Sequence, residues 1–281
     1  MATVTAPARV AIKNILLATD FSSFSETALP YAAALARRYD STLFMLNVVP
    51  GIFDVLPADP KQPAAQATEN LRRLSGSSLL QGIRHQEFVG RGDTAAALSE
   101  FVRQNHIDLI VLGTHGRKGI GRLLLGSVAE EVFRNAPCPV LTVGPHVDPL
   151  TAGKLRHIVF ATDFGAETRH GLPHAISIAE ENEAAITVVH VAHGPDVEAA
   201  EELQEMVPPE TILRNKPDLV VKRGDPAESI VIAARELGAD LIVIGVHRPI
   251  ALGTHGGRGV AYKVVCEAHC PVMTVGHELV N

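Results

Sequence analysis

The stretch NILLATDF, residues 14–21, returns 143 positions later as HIVFATDF, residues 157–164. Around it the correspondence widens, because TLFMLNVV (42–49) is answered by AITVVHVA (185–192) at the same offset. Further along, VGRGD (89–93) matches VKRGD (221–225), IDLIVLGTHG (107–116) matches ADLIVIGVHR (239–248), and CPVLTVG (138–144) matches CPVMTVG (270–276). The offset there is 132, so the first copy carries 11 more residues in its middle. A repeat of this length is a duplicated domain rather than a solenoid unit, and it governs every later assignment.

Within each copy, short β-branched runs alternate with segments of helical periodicity, the pattern of strand and crossover helix. Copy one predicts strands over 13–18, 42–48, 84–90, 108–112 and 139–143, with helices over 24–38, 63–80, 94–105 and 123–135. The fold class expected is α/β: two tandem open-twisted, five-stranded parallel sheets of Rossmann-like type, strand order 3-2-1-4-5. The join GPHVDPLTAGK (144–154) is rich in Pro and Gly, which places the boundary near residue 150 and gives domains 1–150 and 151–281.

Composition agrees. At 281 residues the chain suits two domains of about 140, each able to bury a core. Hydrophobic residues make up 46%, aromatic ones 4%, and there is no Trp, so the cores are built from aliphatic side chains, as in helix-covered parallel sheets. A net charge of −6 argues against broad nucleic-acid binding. Three cysteines, Cys138, Cys266 and Cys270, are too few for a disulfide framework. No signal-like start and no run of ~18 apolar residues is found, so a cytoplasmic protein without a membrane span is expected.

Both RGD triplets read as a turn followed by a helix cap. GDPAES in copy two places Asp225 as N-cap, Pro226 at the first helical position and Glu228 three residues after the cap; Asp93 holds the same place in copy one. The segment 50–82, opening PGIFDVLPADPKQP, reads as a tolerated surface insertion, with a lid or a partner surface as the alternatives.

Ligands of open parallel sheets sit beyond the carboxyl ends of the strands, where connections diverge. There, after the fourth strand, lies GTHGRKGIGRLLLGS (113–127). Its glycines admit positive φ and close approach of an anion to backbone amides, and the helix that follows offers unpaired N–H groups. Arg117, Lys118 and Arg122 supply positive charge and Ser127 a hydroxyl. No GK[ST] ending is present, which excludes a Walker A loop. A flexible loop with solvated charges is the competing reading.

The spacing Gly113, two residues, Gly116, nine residues, Gly126-Ser127 resembles the nucleotide-binding motif of the universal stress protein family. ILLATDFS, LNVV and SVAEEVFRNAPCPVLTV resemble that family's other landmarks, in the same order and over nearly the whole chain. The resemblance implies that Ala18, Thr19 and Asp20 contact base and ribose, and that Asn47 and Val48 line an adenine pocket. It implies that Gly113, Gly116, Gly126, Ser127 and Val128 hold phosphates and ribose, flanked by His115 and Arg117. The implied cofactor is ATP, or AMP or ADP, with Mg²⁺ carried mostly by the phosphates. A carboxylate at a strand's carboxyl end suits ribose hydroxyls, and Asp20 equally suits a turn partner for the following helix.

Copy two keeps Gly245 but has Arg248 for Gly116, Arg258 for Gly126 and Gly259 for Ser127. An arginine where close backbone approach is needed breaks the cradle, unless GTHGGRG (253–259) forms a rearranged anion site or the arginines reach a ligand elsewhere. No GxSxG elbow and no dedicated base is found, so no catalytic residue is assigned and any ATP hydrolysis or autophosphorylation is expected to be slow. His247, His255, His269 and Cys270 lack the paired spacing of a zinc site, and no metal ligand is assigned. The family implies an internal pseudo-dimer in which PVLTV and PVMTV are the meeting edges. A homodimer is allowed without a residue arguing for it, and a regulatory protein partner is expected but not named by any motif. The expected role is a nucleotide sensor in a stress response; a slow enzyme and an empty scaffold are the alternatives.

Overall fold

The computed structural model describes residues 10–49, 51, 62–114, 127–192, 198–207, 216–246 and 259–276. They fall into two compact units, one from Ile12 to Gly153 and one from Lys154 through the last strand, with Val10 and Ala11 joining the second.

The first unit contains β1 (Asn14–Ala18), α1 (Ser23–Glu26), α2 (Leu29–Tyr39), β2 (Thr42–Val49), α3 (Gln62–Ser75), β3 (His85–Arg91), α4 (Thr94–Gln104), β4 (Leu109–Gly113), α5 (Ser127–Asn135) and β5 (Val140–Val143). Its strands run in the order β3-β2-β1-β4-β5, parallel throughout, with Ala18 level with Leu46 and Leu17 level with Val111. Ile15, Leu16 and Leu17 are all fully buried, because a central parallel strand is covered on both faces. The switch point of the sheet lies between β1 and β4.

Two boundaries differ from the periodicity. The helix expected over 24–38 is two helices, since Pro30 stands in the first turn of α2 and has no N–H to continue the ladder from α1. The helix expected over 63–80 stops at Ser75 and is followed by a 3-10 turn, Ser78–Leu80, capped by the Ser77 hydroxyl.

The second unit contains β6 (His157–Thr162), α6 (Ala166–Arg169), α7 (Gly171–Asn182), β7 (Ala185–Ala192), α8 (Ala199–Met206), β8 (Asp218–Arg223), α9 (Pro226–Glu236), β9 (Leu241–Val246), α10 (Val260–Glu267) and β10 (Val272–Gly276). The order β8-β7-β6-β9-β10 repeats the first sheet.

Duplication extends to the rarest backbone angles. Phe21 and Phe164 both have left-handed φ (60° and 64°), as do Asp40 and Glu183 (50° and 52°), which end α2 and α7. In both RGD triplets the glycine is left-handed, Gly92 at 101° and Gly224 at 121°, so glycine is the residue that fits. The aspartate then caps the helix: Asp93 accepts from the Ala96 N–H at 2.9 Å and Asp225 from the Glu228 N–H at 3.1 Å.

The amino end of each central strand is also fixed alike. Asp108 Oδ2 accepts the Lys13 and Asn14 N–H groups at 2.7 and 2.8 Å, and Asp240 Oδ2 accepts those of Arg156 and His157 at 2.8 and 3.2 Å. The join is held to the first unit: Tyr31 on α2 hydrogen-bonds the Asp148 carbonyl and the Thr151 hydroxyl at 2.8 and 2.6 Å.

Candidate nucleotide site

At the carboxyl edge of the first sheet, β1 gives way to Thr19, Asp20 and the left-handed Phe21. Three bonds hold this turn. Thr19 N–H donates to the Leu46 carbonyl at 3.0 Å, the Phe21 N–H donates to Thr19 Oγ1 at 3.0 Å, and Asn47 Nδ2 donates to the Thr19 carbonyl at 2.8 Å. Thr19 and Asn47 are both buried, so each of these polar groups needs the partner it has.

Asp20, half-buried, accepts the Ser22 N–H and hydroxyl at 3.0 and 2.6 Å on Oδ1. Ser22 in turn caps α1, its Oγ accepting the Ser25 N–H at 3.2 Å. The carboxylate therefore has a place in the turn that begins α1, whatever else it meets.

Gly113 closes the other side of the switch point. A Cβ on it would lie 2.3 Å from the Phe24 carbonyl oxygen and 3.0 Å from the Ser25 Cα, so the backbone of α1 occupies that space. Ser25 Oγ lies 3.0 Å from Thr19 Oγ1. Asn47, Thr19, Ser25 and Gly113 thus form one continuous strip across the carboxyl ends of β2, β1 and β4. Ala18 and Val48, both half-buried, flank it, and a Cβ on Gly90 would lie 3.2 Å from Val48 Cγ2.

The rest of the expected site divides differently. His115, Gly116, Arg117 and Gly126 lie outside the described residues. Ser127 and Val128 are placed only by their backbone, as the first residues of α5. Ser22, Phe24 and Ser25 are contributors that the glycine pattern does not point to. Their signal was a hydroxyl six residues after the strand-end threonine, repeated as Thr162 and Thr168 in the second copy.

The second unit reproduces the turn with other side chains. Phe164 N–H donates to Thr162 Oγ1 at 3.0 Å, and Asp163 Oδ1 accepts the Gly165 N–H and the Thr168 hydroxyl, both at 2.9 Å. In place of Asn47 stands His190, buried, with Nδ1 3.0 Å from the Thr162 carbonyl. A carbonyl only accepts, so Nδ1 carries the proton. The ring stacks on Phe164 at a centroid distance of 4.2 Å and an interplanar angle of 26°. Arg248 and Arg258 lie outside the described residues. Gly259 precedes α10, and among the described residues a Cβ there would meet nothing within 4 Å.

Among the described residues no helix is long and apolar enough to cross a membrane.

Comparison with known proteins places this arrangement. A universal stress protein of Methanocaldococcus jannaschii is 34% identical over 143 residues, covering 47% of this chain and 81% of that protein. One from Thermus aquaticus is 31% identical over 135 residues, covering 47% of this chain and 98% of that protein. Over nearly the full length, the crystal structure of a universal stress protein from Archaeoglobus fulgidus matches with a TM-score of 0.79 at 20% identity, covering 94% of this chain and 98% of that one; this is a likeness of fold. The model of the universal stress protein family matches twice, over residues 11–144 and 154–276. The chain belongs to the universal stress protein family, as a tandem member with two such domains.

Proposed function

We propose that the first unit binds an adenine nucleotide, ATP or one of its shorter relatives, and that the chain acts as a nucleotide-responsive regulator in a stress response. The observation that carries this reading is the strip Asn47-Thr19-Ser25-Gly113, which lies at the switch point of a parallel sheet and runs into the glycine-spaced segment 113–127. In this reading Asn47 and Val48 face the base and Ala18, Thr19 and Asp20 meet base and ribose. Gly113, Gly116, Gly126, Ser127 and Val128 take ribose and phosphates, with His115 and Arg117 beside them. Mg²⁺ would be held mainly by the phosphates. The second unit, with Arg248 and Arg258 in the glycine positions, has no working cradle. No disulfide joins Cys138, Cys266 and Cys270, which suits the reducing cytoplasm we assign.

Calorimetric titration of the intact chain with ATP, with and without Mg²⁺, tests this directly. Saturable binding of about one ATP per chain, lost on Gly116→Arg, is the expected result. Two equivalents, or binding untouched by the substitution, would overturn it.

A scaffold that binds no nucleotide is the second reading, favoured by one fact: Asp20 and Gly113 each have a sufficient reason inside the fold, in Ser22 and in the backbone of α1. That reading requires no saturable binding and an unchanged Tm on Gly126→Arg.

A further inference from the structure

Residues 10–12 pass from one unit to the other. Val10 and Ala11 belong to the second unit and Ile12 to the first. The Val10 N–H donates to Ser177 Oγ on α7 at 2.9 Å. Two residues on, the Ile12 carbonyl accepts the Ser41 hydroxyl at 2.5 Å. Both serines are buried. The Lys13 and Asn14 N–H groups follow at once, held by Asp108. Little slack is left between the last bond to the second unit and the first bond to the first.

The duplication supplies a comparison. At the 143-residue offset Val10 and Ile12 become Gly153 and Leu155, while Ser177 and Ser41 become Ala34 and Ala184. The path of the chain persists: a Cβ on Gly153 would lie 3.3 Å from the Ala34 Cβ. The segment leading into β6 therefore passes over α2 where the segment leading into β1 passes over α7.

The hydroxyls do not persist. At the join the chain reaches α2 as the continuation of β5 and is fastened by Tyr31. Val10 and Ser177 are 167 residues apart in the chain, so a side-chain bond supplies there what continuity supplies at the join. Serine is also a poorer helix former than alanine, and a buried hydroxyl needs a partner. The Val10 N–H gives Ser177 a reason that α7 by itself does not.

We infer that residues 10–12 form a strap by which the second unit holds the strand β1 of the first, with Ser177 as its catch. The strap runs straight into β1, whose far end carries Thr19 and Asp20. Opening at Ser177 frees the chain up to the Ser41 bond, and closing it restores the hold. The two units are thus tied at the start of β1 as well as at the join.

Limited trypsin digestion of the full chain, read by mass spectrometry, tests the strap at the peptide bond between Arg9 and Val10. Cleavage there requires local release of the backbone. Ser177→Ala installs the residue of the first unit and should hasten that cleavage about 10-fold, as expected when a buried N–H loses its acceptor. Alanine favours helix, so α7 is kept, and circular dichroism and Tm establish that the variant is folded. Cleavage after Lys154, in the join, is the reference and should keep its parental rate. Equal rates after Arg9 in parent and Ser177→Ala would overturn the strap. So would cleavage after Lys154 hastened by the same factor, which would mean a general loosening rather than release of a catch.

Discussion

The strand-end turns of the two units differ in their side chains and agree in their bonds. In the first, Asn47 Nδ2 donates to the Thr19 carbonyl; in the second, His190 Nδ1 donates to the Thr162 carbonyl. In both, a phenylalanine adopts left-handed φ and gives its N–H to the threonine hydroxyl at 3.0 Å. A bulky residue at such a φ costs about 1–2 kcal/mol, and the same compensation recurs although Gly116 and Gly126 of the first copy do not. The turn is thus a requirement of the fold in both halves, and functional asymmetry has to be sought in the loops and in the Asn47/His190 exchange.

The largest effect that would sharpen this contrast is expected at the glycines beside the turn. Gly113→Ala would set a methyl group 2.3 Å from a backbone oxygen and 2.8 Å from a backbone carbon of Phe24, and no rotamer change relieves a backbone clash. We expect a loss of about 3 kcal/mol or more, with faster hydrogen exchange confined to residues 12–153. In the second unit, a Cβ at Gly171 would meet the Phe160 ring edge at 3.0 Å. Because Gly171 begins a helix, alanine regains about 1 kcal/mol of propensity there, which offsets much of the crowding. Urea denaturation should show Gly171→Ala within about 1 kcal/mol of the parent; equal costs at both glycines would break the comparison.

The Asn47/His190 exchange comes next. Asn47→Ala leaves the buried Thr19 carbonyl without its donor, a cost of about 1–3 kcal/mol. Asn47→His restores an N–H, as the second unit demonstrates, and should recover most of that stability. It also replaces a carbonyl oxygen by an imidazole on the side proposed to face the base. Reduced ATP affinity with near-parental urea stability would place Asn47 against the ligand. Unchanged affinity would confine it to holding the turn. In the other unit His190→Asn keeps the donor and loses the stack on Phe164, about 0.5–1.5 kcal/mol.

Much of this is legible in the sequence. The repeat and the alternation of short apolar runs with helical periodicity fix the element order and the sheet, because hydrophobic pattern and duplication are both local in the chain. The RGD triplets likewise follow from Gly92, Gly224, Asp93 and Asp225, whose backbone and capping preferences are local. The break at Pro30 was equally local, yet periodicity runs through it, since apolar spacing continues across α1 and α2. What the sequence could not show are contacts made across distance: the Ser25 hydroxyl on Thr19, the α1 backbone over Gly113, and the His190 ring on Phe164. The glycine motif offered a ligand as the reason for Gly113, and packing supplies another. Residues 115–126 stay at the level of the family pattern.

The smallest effect separates the two capping aspartates. Asp93→Ala should cost about 1 kcal/mol, the usual worth of an N-cap. Asp225 caps α9 in the same way, but its carboxylate also lies 3.5 Å from Lys263 Nζ. The Glu228 N–H first, and then the Lys263 charge, hold its pKa below the ordinary 3.8. A carboxylate lowered in the folded state contributes stability above its unfolded pKa, and that contribution is lost as pH falls from about 3.8 through the folded value. Asp225→Asn keeps an N-cap acceptor and removes the titration. Its Tm near neutral pH should therefore fall slightly below that of the parent, whose charged carboxylate contributes there, and the two should converge below about pH 4, so that the variant's acid limb is shallower. Since the group is exposed, salt should flatten the parent's curve toward the variant's by screening Lys263. An acid limb identical in parent and Asp225→Asn would mean that the carboxylate's partners in the second unit contribute nothing that the amide does not.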